Sequence, residues 1–284
     1  MKVVPFIIPR SDEASIRVQV DEVPHLYNHL HQHPEIQLTL ICKSSGTLIA
    51  GDYVGRFREA EVFVIGSNQP HVFRNDAVFF KNRSTAKAIT VFFDEASLGN
   101  RFWQLAEVKS FLPFFRNSLG GYRITGKKQN QLSEALLLIA EAEGLDKLIL
   151  FLHLIRLLSS KKEMKPLSHI TIQRPIKSYD GNRLNRVVEF TFRENQRSIR
   201  LEEIAGVANM TVEAFCKYFK TRTGKTYIHF LNEIRVSNAC KLLLSEDWPV
   251  STICYKTGFA NLSNFNRVFK KINGHTPKEF RAIE

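Results

Sequence analysis

The 284-residue chain is short of several things, and each shortage narrows its function. It has four cysteines, Cys42, Cys216, Cys240 and Cys254, widely spaced and without a Cys-x-x-Cys pair. They read as buried or incidental thiols in a reducing compartment. No apolar run approaches the roughly 18 residues of a membrane span. The run Met1-Lys-Val-Val-Pro-Phe-Ile-Ile-Pro-Arg10 is too short and too Pro-interrupted for a signal peptide. The expected location is therefore the cytoplasm, with no membrane partner. Acid is also scarce: 28 Asp and Glu stand against 40 Lys and Arg, a formal charge of +12. That excess is uneven, with +7 in residues 181–284, +3 in 161–180 and +2 in the first 160. A polyanionic partner is favoured for the C-terminal part and disfavoured for the N-terminal half. The length has room for two domains, each with its own core.

What is present is a repeat near the C-terminus. Thr211-Val-Glu-Ala-Phe-Cys-Lys-Tyr-Phe-Lys220 is answered by Asn261-Leu-Ser-Asn-Phe-Asn-Arg-Val-Phe-Lys270. The echo continues through Gly224 and Gly274, Thr226 and Thr276, Phe230 and Phe280. Such detail suggests two copies of one small module. Helical spacing puts Phe215 with Phe219, and Phe265 with Phe269, on apolar faces. Glu213, Cys216, Lys217 and Lys220 form a separate stripe, as do Ser263, Asn266, Arg267 and Lys270. Most of these residues can contact base edges or phosphates. Leu201–Ala208 and Val250–Thr257 read as short preceding helices, with Thr211 and Asn261 as N-caps and Gly258 as a stop. Helix, tight turn, helix with a polar stripe is the helix-turn-helix pattern. Between the modules, Tyr227 to Leu244 reads as a helix of roughly 27 Å. Successive major-groove faces on one side of DNA lie about 34 Å apart, so such a rod could hold two recognition helices in neighbouring grooves.

Residues from about 183 to 283 resemble the DNA-binding domain of AraC/XylS-type transcriptional regulators. The matching stretches are Leu-Glu-Glu-Ile-Ala (201–205), Phe-Lys-Thr-Arg-Thr-Gly-Lys-Thr (219–226), Leu-Asn-Glu-Ile-Arg (231–235), Thr-Gly-Phe-Ala-Asn-Leu-Ser-Asn-Phe-Asn-Arg-Val-Phe-Lys-Lys (257–271) and Gly-His-Thr-Pro-Lys-Glu-Phe-Arg (274–281). The resemblance implies a double helix-turn-helix domain that places both recognition helices in consecutive major grooves of double-stranded DNA. It implies base-reading roles for Glu213, Cys216 and Lys217, and for Ser263, Asn266 and Arg267. There are departures. Gly206-Val207-Ala208 is less helix-favouring than the usual segment. Cys216 is a poor base reader, and Glu213 repels phosphate unless it accepts from a cytosine amino group. The first helix is expected to read weakly or by backbone contact, and Arg267 to read guanine directly.

The N-terminal half has a different texture. Ile36–Cys42, Gly46–Ala50, Glu61–Ile65 and Ala88–Phe93 are short β-rich runs, which suggests an antiparallel sandwich or barrel. His31, His33, Glu35 and Gln37 share one face if they lie on a strand. With His71 they are candidate ligand-binding residues. His-x-His…Glu/Gln followed by Pro-His-x-x-x-Asn (70–75) resembles the two sequence motifs of cupins, a frequent N-terminal partner in AraC-type regulators. Three readings stay open: a metal site on His31, His33 and His71 with Glu35 or Gln37, a metal-free pocket for a small polar ligand such as a sugar, and satisfied histidines with no ligand. The expectation is a site without metal or cofactor.

Leu132–Ala140 and Leu148–Leu158 read as an αα-hairpin that needs burial on the β domain or in a subunit interface. The expected chain is thus α+β with two domains. Residues 1–160 form a cupin-like ligand-binding and dimerisation barrel with a helical hairpin, 161–181 a linker, and 182–284 an all-α double helix-turn-helix domain. The expected function is a non-enzymatic, ligand-responsive transcriptional regulator. Its partners would be double-stranded DNA, a small-molecule effector, a second copy of the chain and RNA polymerase. The alternative is a metal-dependent cupin enzyme with an appended DNA-binding domain.

Overall fold

The computed structural model describes residues 15–81, 84–169 and 178–283. The Met1–Arg10 run and residues 170–177 of the expected linker lie outside them. The chain divides into two compact units with the boundary at Ser178/Tyr179. Among the described residues, no helix is long and apolar enough to cross a membrane.

The first unit is built on strands β1 (Arg17–Val23), β2 (Ile36–Lys43), β3 (Gly46–Ala50), β4 (Tyr53–Phe57), β5 (Val62–Ile65), β6 (His71–Asn75), β7 (Ala86–Phe93), β8 (Tyr122–Ile124) and β9 (Met164–Pro166). One sheet has the order β1-β7-β2-β5-β8-β9 and a second the order β4-β3-β6. The helices are α1 (Ala77–Lys81), α2 (Leu112–Asn117), α3 (Gly126–Glu141) and α4 (Gly144–Leu158). β2 shows how the sequence directs the layers. Its residues alternate between two buried faces. Ile36, Leu38 and Leu40 join a core with Leu132, Leu136, Phe151 and Leu154 of α3 and α4. Ile41 joins a second core with Leu48, Phe57 and Phe73 from the other sheet. Gln37 and Thr39 alternate onto the same face as Ile41, so two polar side chains are carried inside, at 7% and 2% exposure.

The αα-hairpin forms, with Leu132, Ala135, Leu136 and Ile139 buried on α3 and Phe151, Leu154, Ile155 and Leu158 on α4. It does not bury everything. Leu137, Leu138, Leu145 and Ile149 remain exposed on the outer face. The segment expected to be a linker is structured at both ends. Met164–Pro166 is β9, antiparallel to β8 in the first sheet, and α5 (Ser178–Glu194) begins before residue 181.

The second unit is all-helical: α5, α6 (Leu201–Val207), α7 (Val212–Thr223), α8 (Tyr227–Ser245), α9 (Val250–Lys256), α10 (Leu262–Asn273) and α11 (Pro277–Ile283). α8 is buried on both sides because its apolar residues serve two cores. Tyr227 and Phe230 lie against α7, with Phe215–Tyr227 and Phe219–Phe230 centroids 5.6 and 5.4 Å apart. Val236, Ala239, Cys240 and Leu243 pack with Ile253, Phe265 and Phe269. The 50-residue echo persists in space: Phe269–Phe280, at 5.7 Å, repeats Phe219–Phe230.

Candidate nucleic-acid interface and histidine cluster

Helices α7 and α10 each begin at a side-chain cap. Thr211 Oγ1 accepts from Ala214 N at 3.3 Å and starts α7; Asn261 Oδ1 accepts from Asn264 N at 2.8 Å and starts α10. Both helices stop at a left-handed glycine, Gly224 and Gly274. The buried residues are Phe215 and Phe219 in α7, and Phe265, Val268 and Phe269 in α10. Glu213, Cys216, Lys217 and Lys220 are exposed, as are Ser263, Asn266, Arg267 and Lys270. The Arg267 guanidinium donates to Asn264 Oδ1 at 2.7 Å. Asn264 was not singled out in the sequence. Its spacing of three from Arg267 on a helix was the available signal.

The turns of the two modules differ by one residue. In the first, Met210 N donates to Ala205 O and Asn209 is left-handed (φ 53). In the second, Phe259 N donates to Cys254 O and Gly258 is left-handed (φ 88). The same helix-ending motif is therefore offset by 49 between the modules, while the caps Thr211 and Asn261 are offset by 50. A repeat aligned at a single interval conceals that extra residue, Ala260 or its neighbour, in the second turn.

The histidine group forms, but not by the route the alternation implied. His31–Glu35 do not lie on a strand. β2 begins only at Ile36, and residues 34 and 35 form a bend. Pro34 has no N–H to give to a ladder. His31 instead makes an isolated bridge with His71, each donating its N–H to the other's carbonyl at 3.0 and 2.8 Å. His31, His33 and His71 then present ring nitrogens all within 4.8 Å of one another. Gln37 joins them, with His33 Nε2 and His71 Nε2 each 3.0 Å from its amide. Glu35 does not join on that side; its carboxylate lies 3.7 Å from Nδ1 of His33, away from the converging atoms. Sequence reasoning missed Thr39 and Thr90, whose hydroxyls are 3.0 Å apart, and Phe92, whose ring is 5.4 Å from that of His33. Thr39 lies two residues beyond Gln37 and was readable from strand periodicity. Thr90 and Phe92 required the pairing of β2 with β7.

The tautomers follow from the partners. Nδ1 of His31, His33 and His71 faces the backbone carbonyl of His29, Glu35 and Gln69 at 2.9, 3.0 and 2.8 Å. A carbonyl only accepts, so each Nδ1 carries the proton. Burial pushes all three imidazoles toward the neutral form, His31 to about 3. Their Nε2 atoms are therefore acceptors. The Gln37 amide is satisfied when its NH2 donates to His33 and His71 and its oxygen accepts from the Thr39 hydroxyl, 2.8 Å away on the other arm. The opposite orientation would need doubly protonated rings side by side in a buried site. The three anchored Nδ1–H groups are also the arrangement that orients histidines toward a metal ion. The residues fit a first-row transition metal through three Nε2 atoms, with Gln37 as a neutral fourth donor once its amide turns to bring the oxygen in place of the NH2.

Residues 204–283 match a family model described as "Helix-turn-helix domain". The chain carries a helix-turn-helix domain over these residues. Over 98% of its length it is 25% identical to the HTH-type transcriptional activator RhaR of Enterobacter sp. (strain 638), covering 97% of that protein. It is 28% identical over 122 residues, 43% of this chain, to an uncharacterized HTH-type transcriptional regulator in the cgkA 5' region of Pseudoalteromonas carrageenovora. There the chain spans 65% of its relative's length. Among solved structures, ToxT from Vibrio cholerae is 15% identical with a TM-score of 0.37, over 94% of this chain and 98% of that one.

Proposed function

We propose that the protein is a sequence-specific, ligand-responsive transcriptional regulator whose helices α7 and α10 enter two consecutive major grooves. The observation that carries this is the pair of capped helices, each with an exposed polar stripe, packed on one buried central helix. Arg267, oriented by Asn264, reads guanine; Ser263 and Asn266 flank it on the same stripe. Lys217 takes a base edge or a phosphate, and Lys220 and Lys270 take phosphates. Glu213 is tolerated opposite a cytosine amino group, and Cys216 contributes contact without readout. The test is capture of genomic fragments by the full chain, followed by footprinting. Two protected major-groove faces one helical turn apart are expected. Folded protein that binds chosen and random duplexes equally at moderate salt would overturn the reading.

The first unit is read as a cupin-like effector domain. Its group of His31, His33, His71 and Gln37, with Glu35 beside it, is neutral, and a ligand hydroxyl would take over from the Gln37 amide as donor to the Nε2 atoms of His33 and His71. That suits a hydroxyl-rich ligand, a sugar or another small polar metabolite, over a carboxylate. The effector switches the protein only if it binds the DNA-competent and incompetent states with different affinity. A rise in melting temperature with a hydroxylated metabolite, abolished in His71→Ala, supports this assignment. The convergent Nε2 atoms favour a second reading, a metal-dependent enzyme. Near-stoichiometric iron or manganese in purified protein, lost in His31→Ala, would move the assignment there. The exposed leucines of α3 and α4 are assigned to a homodimer contact, RNA polymerase to the promoter complex, and the cytoplasm to the location. No catalytic role is assigned.

A further inference from the structure

α8 carries a buried cation that neither helical core requires. Arg235 is 9% exposed, and burial lowers its affinity for the proton. Its Nε donates to the carbonyl of Asn195 at 2.8 Å and its terminal nitrogen to that of Arg197 at 2.7 Å. Both carbonyls belong to the connection that leads from α5 into α6, the entry to the first module. The far face of the guanidinium lies over the ring of Phe259, 5.7 Å from its centroid, in the turn of the second module. That turn lies close against the same connection: a Cβ on Gly258 would stand 2.3 Å from Asn195 O and 2.9 Å from Arg235 Nε. One turn along α8, Asn238 donates to Asn195 Oδ1 at 2.9 Å. Arg197 continues the chain of contacts outward, its side chain bridging Glu194 at the end of α5 and Glu203 of α6.

Burying a charge on carbonyls alone is costly, and a methionine would fill similar space without that cost. What a guanidinium adds is direction. Its planar fork meets two carbonyls at one angle while stacking on one ring. Reading two grooves makes that direction matter, because displacing one half-site by a base pair moves it by about 3.4 Å and turns it by about 35° around the duplex. We propose that Arg235 is a positioning residue that sets the separation between the two recognition helices, so that the protein accepts paired half-sites at a single spacing. This rests on the DNA-binding reading above.

The test is selection of duplexes from a random-sequence pool by the full chain and by Arg235→Met, with affinities then measured on selected sites and on versions lengthened or shortened by one base pair. The wild type is expected to enrich two sequence blocks at one separation and to lose at least tenfold on a one-base-pair shift. Arg235→Met is expected to enrich the same blocks across several separations, with shift losses within about threefold and single-block binding within about twofold of wild type. A variant that binds more weakly but keeps the single separation overturns the proposal, because a merely structural role lowers stability without relaxing spacing. Should Arg235→Met melt below the assay temperature, Asn238→Ala, which removes only the second tether on Asn195, is read by the same criterion. A wild type that enriches no paired block overturns the DNA reading itself, and this proposal with it.

Discussion

Two glycines in the second unit make a matched experiment in which one chemical change has opposite signs. Gly206 lies inside α6, is exposed, and has no atom within 4 Å of where a Cβ would sit. The 49-residue offset of the turn motif places it opposite Tyr255 of α9, which is 59% exposed. That position therefore tolerates a side chain in this architecture. Gly206→Ala removes the entropic penalty of glycine in a helix, about 0.8–1 kcal/mol. For a unit of about 100 residues this corresponds to a rise of about 4–8 °C in Tm. Gly258→Ala meets the reverse conditions. Its φ is 88°, and the new methyl carbon would stand 2.3 Å from Asn195 O, which is backbone and cannot swing aside. The left-handed conformation alone costs about 1–2 kcal/mol, and the overlap adds to it. Urea unfolding followed by the fluorescence of Trp248, in a Trp103→Phe background, reports on the second unit alone, since the chain has two tryptophans. Stabilisation by Gly206→Ala with loss in Gly258→Ala is expected. A Gly206→Ala protein no more stable than its parent would refute the assignment of residues 201–207 as an unconstrained helix, and a neutral Gly258→Ala would refute the close approach of the turn to Asn195.

Arg267→Ala is expected to cost about 1–3 kcal/mol on a selected duplex and to relax preference at one base. Lys220→Ala should weaken chosen and random duplexes alike, so competition titrations on both separate the roles. The first unit should lose stability in acid: His31, His33 and His71 have depressed values when folded, so the unfolded chain binds more protons as pH falls below about 6.5. At pH 5.5 His31, whose folded value is about 3, forfeits about 1.4 kcal/mol relative to pH 7.5, and His33 and His71 act in the same direction. Urea unfolding in EDTA followed by Trp103, in a Trp248→Phe background, would show it; an unchanged free energy would contradict the neutral assignment. Leu138→Glu with Leu145→Glu, at positions 61% and 70% exposed, should leave folding intact and yield a monomer by sedimentation. A dimer that survives both changes moves the interface elsewhere.

The two units were unequally legible. Local signals carried the second. Phe at four-residue spacing, Thr and Asn caps, and glycines after the last turn all act within one helix and its ends, so they survive translation into space almost unchanged. The one-residue difference between the two turns escaped, because Asn209 can take a left-handed conformation that the repeat suggested for Gly258 only. In the first unit the β-rich runs at 36–42, 46–50, 61–65 and 88–93 were visible, whereas β1, β4, β6, β8 and β9 were not. Strands such as Arg17–Val23, with alternating half-exposed polar residues, gain their stability from a neighbour rather than from their own composition.

The sequence alone determined which residues could meet in the histidine cluster. His31, His33, Gln37 and His71 were picked out by type and order, and so was the exposed stripe of each recognition helix. Tertiary structure decided how they meet. The strand alternation that made Glu35 a partner fails at Pro34, and convergence comes from a single bridge between His31 and His71. Tertiary structure also decided the role of Arg235, which in the sequence is one more basic residue on a helix. Its partners, Asn195, Arg197 and Phe259, are about 40 residues before it or 24 after it. Contacts at such separations depend on where the chain returns, and local propensity does not encode that.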